Sequence, residues 1–243
     1  MLLDDRHKPA LIHLITPIFR VGNYGKPEDY FPFFPESEPL IRIPDDCLLI
    51  HVRAGDIATL SNVKYGPLPI RYYEYLIVQT DLRPLFICEP GHTPYIDLLT
   101  ATFPKAEMIG GGSAIRDFQI IRNAKNVALS VSSFSWMATF LSTRVRQIHL
   151  PLAGHFDPVD DPTPDFLPLN DDRYIFHRVP RKAWSQRYEN PLGPRDGFSV
   201  VSKAAVRALK TAAIVRTAKL SAKIHGGLLK RMAALAYKNR KSD

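Results

Sequence analysis

A chain of 243 residues, 45% apolar and 23% charged, has the composition of a soluble globular protein long enough for one substantial core. No apolar run approaches the roughly 18–20 residues that span a bilayer, and Asp4 and Asp5 precede any apolar segment, so neither a membrane span nor a secretory signal is expected and a cytoplasmic location is. The net charge of +8 is uneven: residues 199–243 hold eleven Lys or Arg against the single acid Asp243 (+10), leaving 21 bases against 23 acids (−2) in residues 1–198.

Residues 1–45 are rich in proline and aromatics, as in Tyr30-Phe31-Pro32-Phe33-Phe34-Pro35. They read as an irregular lead-in with one short strand near Leu11–Ile15. Residues 46–150 alternate short apolar strands (Cys47–Val52, Leu85–Cys88, Glu107–Ile109, Val127–Ser130, Gln147–Leu150) with helical patterns (Ile70–Gln79, Thr93–Phe103, Ser113–Ala124, Ser133–Leu141). That alternation predicts right-handed βαβ units and an α/β, Rossmann-like doubly wound parallel sheet. Cys47 and Cys88 fall in predicted central strands and read as buried reduced thiols; neither a disulfide framework nor a metal site is expected.

Residues 151–198 read as a loop-rich wrap or linker carrying Asp160-Asp161-Pro162 and Asp171-Asp172. Beyond them, 199–243 reads as a basic amphipathic helical tail, one helix over Val200–Tyr237 or two broken at Gly226-Gly227. Val201, Ala205, Ala208, Ala212 and Val215 recur at helical spacing and the bases occupy other faces.

Two segments carry candidate chemistry. His51-Val52-Arg53-Ala54-Gly55-Asp56 follows the apolar run Cys47-Leu48-Leu49-Ile50 and sets a cation, a histidine and a carboxylate where a strand runs out. Ligands collect at the carboxyl ends of strands in open α/β sheets, and an arginine fork suits phosphate oxygens. The plainer reading is a turn with a solvated ion pair. Ser130-Val131-Ser132-Ser133-Phe134-Ser135-Trp136 lies between a predicted strand and a helix, where serines cap the helix beside free N–H groups that favour anions. Asp117, early in the preceding helix, is a candidate for two hydrogen bonds from guanine, or simply an acid complementing the helix dipole. Gly110-Gly111-Gly112 lacks the spacing of a nucleotide fingerprint.

Together, His51-x-Arg53-x-Gly55-Asp56, Asp117-Phe118 and Ser132-Ser133-Phe134-Ser135-Trp136 resemble the donor-binding half of the α-1,2/α-1,6-fucosyltransferase and protein O-fucosyltransferase superfamily, with the closest look to bacterial α-1,2-fucosyltransferase-like enzymes. The sixteen residues from Asp117 to Ser133 also fit that family's interval, and the resemblance covers about residues 46–150. It implies the C-terminal half of a GT-B glycosyltransferase and inverting, metal-independent transfer from a GDP-sugar, with GDP-fucose the expected donor and a glycan the acceptor. Under it, Arg53 is the catalytic cation that binds the β-phosphate and steadies the leaving diphosphate. His51 lies near the nucleotide, Asp117 reads guanine, and Ser132 and Ser133 form the phosphate-binding helix start. Gly55 and Asp56 shape the motif loop. No cofactor beyond the donor substrate is implied.

Two departures from the family stand out. Ala54 occupies a position where the family often has a second arginine, and 45 residues have no counterpart to its N-terminal acceptor half. The acceptor proton needs a base; His13, Glu28, Asp29 and Glu36 are available and none is singled out. The chain is therefore read either as a transferase whose acceptor domain a partner chain supplies, or as a non-catalytic nucleotide-binding remnant or subunit. The basic tail suits an anionic membrane surface at the inner face, or serves only to solubilise. No nucleic-acid-binding pattern accompanies its charge, so nucleic acid is not an expected partner.

Overall fold

The computed structural model describes residues 27, 42–54, 64–89, 91–110, 112–162 and 164–217. Seven strands are present among them: β1 (Cys47–Val52), β2 (Arg83–Cys88), β3 (Glu107–Ile109), β4 (Asn126–Ala128), β5 (Gln147–Leu152), β6 (Tyr174–Arg178) and β7 (Ser199–Val201). The helices are α1 (Ile70–Thr80), α2 (Pro94–Thr102), α3 (Ala114–Asn123), α4 (Ser133–Phe140), α5 (Arg181–Ser185) and α6, which covers residues 203–217. All strands join one sheet in the order β3-β2-β1-β4-β5-β6-β7, with six parallel and β7 antiparallel to β6. Six parallel strands in the order 3-2-1-4-5-6 make a doubly wound, Rossmann-like α/β fold.

The sheet is covered on both faces, so its central strand is apolar without alternation: all six residues of β1 are buried. Cys47 and Leu49 face a core with Leu85, Ile87, Val127, Ile148 and Trp136. Leu48, Ile50 and Val52 face the opposite core with Phe86, Tyr72, Leu76 and Leu99. Helices α3, α4 and α6 pack on the first face through Ile120, Ile121, Ala138, Phe140 and Val206. Helices α1, α2 and α5 cover the second through Ile70, Tyr73, Tyr95 and Trp184. Each large side chain buried this way contributes about 1.5–3 kcal/mol. Trp136 anchors the first core: its ring stacks on Phe140 at 5.0 Å, and its Nε1–H donates to the Phe166 carbonyl at 2.9 Å.

Two expectations change. Residues 151–198, read as a wrap or linker, add β6 and α5 to the domain, and the sheet ends only at β7. The strand escaped the βαβ pattern because β5 and β6 are joined through a 3-10 turn (Gly154–Phe156) and loops, with no crossover helix. In α6 the buried side chains are Val206 and Ala213, while Ala205, Ala208, Ala212 and Val215 are exposed. Both stripes of this alanine-rich helix are apolar, and the one through Val206 and Ala213 takes the core. Lysines reinforce that docking: Lys203 Nζ donates to Asp172 at 2.5 Å and to the Asp171 carbonyl at 3.0 Å, and Lys210 donates to Asp165. The rest of the predicted tail, and the strand expected near Leu11–Ile15, lie outside the described residues.

Candidate functional site

The order of the sheet reverses between β1 and β4. From β1 the chain winds outward through β2 and β3, then returns to β4 on the other side of β1 and continues through β5 and β6. Crossovers leave β1 and β4 in opposite directions, so a crevice opens at their carboxyl ends.

His51 closes the base of that crevice. Strand alternation puts residues 47, 49, 51 and 53 on the α3/α4 face. The His51 Nδ1 lies 2.6 Å from the hydroxyl oxygen of Ser130, just beyond β4, and so links the two diverging strand ends. Burial, with the Arg53 charge adding to it, pushes the His51 imidazole down to about 3. It is therefore neutral near pH 7 and acts as a hydrogen-bonding group, not a cation.

Arg53 is the first cation above it, with Nη1 3.9 Å from Glu89 Oε1. Glu89 immediately follows β2, and continuing the Val52↔Cys88 register by one rung sets Arg53 beside it. Cys88, between Ile87 and Glu89 at the end of β2, packs on the α1/α2 core, and burial raises its thiol pKa, with the Asp117 and Glu89 charges adding to it, which keeps it protonated. Cys88 is half-buried, more open than a central-strand position predicts, because it stands at the crevice edge.

Ser113 caps α3, its hydroxyl accepting from the Arg116 N–H at 3.2 Å, and Asp117 sits in the first helical turn. The approach to that helix needs glycine at one point. Gly110 has φ +133°, and a Cβ there would stand 2.1 Å from the Cys88 carbonyl oxygen. At Gly112 a Cβ would meet the Arg116 side chain at 2.6 Å, so Arg116 folds over this loop as a second cation near the crevice.

Ser132 caps α4, its hydroxyl accepting from the Phe134 N–H at 3.3 Å. Ser135 donates to the Ser132 carbonyl at 3.3 Å, and Trp136 belongs to the core. Phe134 is the residue of this motif that faces the crevice, with its ring 5.9 Å from His51 and 5.6 Å from Phe118.

The result is a solvent-open cleft lined by His51, Arg53, Ile87, Cys88, Glu89, Gly112, Ala114, Asp117 and Phe134. Three residues singled out from the sequence, His51, Arg53 and Asp117, thus meet in one cleft. Ser132 and Ser133 do not line it: the first is buried as the helix cap and the second begins α4. Gly55 and Asp56 fall outside the described residues, as do His13, Glu28, Asp29 and Glu36. Ala54 is buried on the opposite face, in the α1/α2 core. Glu89 and Arg116 carry no sequence signal beyond their charge, and only the register and the loop path bring them to the site.

A second cavity, lined by Phe156, Pro162, Pro164 and Ile214 of α6, offers His155 and the Lys210–Asp165 pair among apolar side chains, away from the switch point. Among the described residues no group of three or more His, Cys, Asp or Glu side chains is placed to hold a metal ion, and no helix is long and apolar enough to cross a membrane.

Fold and cleft together define a Rossmann-like α/β protein with an open crevice at its topological switch point. No family model matches the chain, and no curated protein or solved structure matches it.

Proposed function

We propose that the switch-point cleft holds the diphosphate of a nucleotide sugar and that the chain is a fucosyltransferase-like glycosyltransferase. It transfers a sugar from a GDP-sugar, GDP-fucose being the favoured donor, to a glycan acceptor with inversion and without a required metal. The observation that carries this reading is the meeting of Arg53 and Asp117, far apart in sequence, in one cleft at the carboxyl ends of β1 and β2.

Arg53 supplies fixed positive charge where the leaving diphosphate gains negative charge, and its planar fork suits two phosphate oxygens at once. His51, neutral and held against Ser130, offers hydrogen bonding beneath the phosphates without adding charge. Asp117 accepts from the N1–H and exocyclic amine of guanine, and Phe134 gives the base or ribose an apolar wall. The acceptor site and its base come from a partner chain or from residues outside those described. In this reading the enzyme works in the cytoplasm, with residues 199–243 at an anionic membrane surface where the glycan is built.

Calorimetric titration with GDP and GDP-fucose tests the reading. Wild type binds both, and Arg53→Ala weakens each by about 30-fold or more, the loss expected for a charge-assisted phosphate contact. Equal affinity in the two proteins contradicts the role given to Arg53. Tight GDP-fucose binding with no transfer to any glycan favours a non-catalytic donor-binding subunit.

A further inference from the structure

We infer that Glu89 reads the ribose of the bound nucleotide, so that the cleft selects ribonucleotides over their 2′-deoxy counterparts. This rests on the nucleotide-binding reading of the cleft and names a specificity residue within it.

Glu89 stands one residue past β2, on the same face as Leu85 and Ile87 and therefore on the cleft side of the sheet. Its carboxylate lines the cleft with half of its surface open, 51% against 30% for Arg53. An ionised carboxylate only accepts hydrogen bonds and repels phosphate, so its complement in a nucleoside diphosphate is a neutral donor. The ribose hydroxyls are such donors, and the ribose is one ester link from the α-phosphate. Glu89 stands 3.9 Å from Arg53, so an acceptor for a hydroxyl lies beside the cation that holds the diphosphate.

Topology selects the ribose over the transferred sugar. In dinucleotide-binding sheets of order 3-2-1-4-5-6, an acid about 20 residues beyond the first βα turn hydrogen-bonds the ribose 2′-hydroxyl. Glu89 occupies that position in this sheet. Asp117 approaches from the first turn of α3, a separate element, which leaves it for the base.

The test compares GDP with 2′-deoxy-GDP on the full chain, for wild type, Glu89→Gln, Glu89→Ala and Arg53→Ala. Wild type prefers GDP by about ten-fold or more, as expected when a charged acceptor loses its donor. In Glu89→Ala that ratio falls toward one, chiefly through weaker GDP binding, and Glu89→Gln falls between. A ratio that is the same in wild type and Glu89→Ala, while Arg53→Ala still weakens GDP, overturns the role of Glu89 and leaves the nucleotide site standing. Absence of GDP binding to wild type overturns both. Glu89 is exposed at a strand end, and matching melting curves verify that the variants fold.

Discussion

At the β1–β4 end of the sheet, His51 is buried against Ser130 yet keeps one edge on an open cleft beside Arg53, whereas at the β5–β6 end His149 and His177 are buried against each other, Nδ1 to Nε2, at 2.9 Å. Burial lowers the pKa in both places, so each imidazole is neutral. What differs is the topology around them. β1 and β4 send their crossovers in opposite directions and leave a crevice, while β5 and β6 follow one another in sequence and space. There Tyr72 and Tyr75 of α1 pack on His177 at 6.1 and 5.7 Å, and Phe198 stacks on Tyr75. A histidine near the end of a strand becomes part of a site where the sheet reverses, and becomes core where it does not.

The largest expected effect strikes the wall between these regions. Trp136→Ala removes the ring under α4 and costs about 3–5 kcal/mol in urea unfolding, loosening the helix that carries Phe134 into the cleft. A loss below ~1 kcal/mol would show that α4 does not depend on this core.

Acid sharpens the contrast. His51, His149, His155 and His177 all have folded pKa values below the ordinary 6.5, His51 near 3 and His155 near 4. Their stabilisation is therefore complete above pH 6.5 and is lost as pH falls toward the folded values, by roughly 1.4 kcal/mol per pH unit for each histidine. Replacing His149 and His177 together by leucine keeps the pair apolar and shallows the acid limb of the unfolding curve while leaving GDP affinity unchanged. An unchanged acid limb would mean that the pair is already protonated or solvated in the fold.

Arg53→Ala works the opposite way: about 2–3 kcal/mol lost from GDP binding and little from stability, since its ion pair is a surface contact. Smaller again, Ser132→Ala removes a helix cap and costs about 1 kcal/mol of stability, measured by thermal unfolding. If the same change also abolished GDP binding, the hydroxyl would be a ligand contact as well as a cap. Lys203→Ala, whose ion pair runs to the fully exposed Asp172, has the smallest effect on thermal unfolding.

How much of this was legible in the sequence follows from where the information lies. β1 and β3 occupy the predicted residues because a strand buried on both faces, or bounded by turns, announces itself in an apolar run. β6 was hidden because Tyr174–Arg178 mixes His and Arg into a short strand with no crossover helix before it. Small alanines recur on several faces of α6, and only the domain beneath decides that Val206 is buried. His51, Arg53 and Asp117 were readable as a set, since each sits at a strand end or a helix start. Ser132 was readable as a helix start, but pattern does not tell whether a capping hydroxyl also faces a ligand; here it bonds the Phe134 N–H. Glu89 offers only its charge in the sequence, and only the parallel register brings it beside Arg53.

The central claim, that the β1–β4 crevice and not the β5–β6 end receives the nucleotide, is tested most directly by hydrogen–deuterium exchange with and without GDP. Bound GDP should slow exchange in peptides covering residues 47–54, 86–89, 112–120 and 130–137 and leave those covering 148–152 and 174–178 unchanged. Protection confined to the β5–β6 peptides, or none at any GDP concentration, would contradict it.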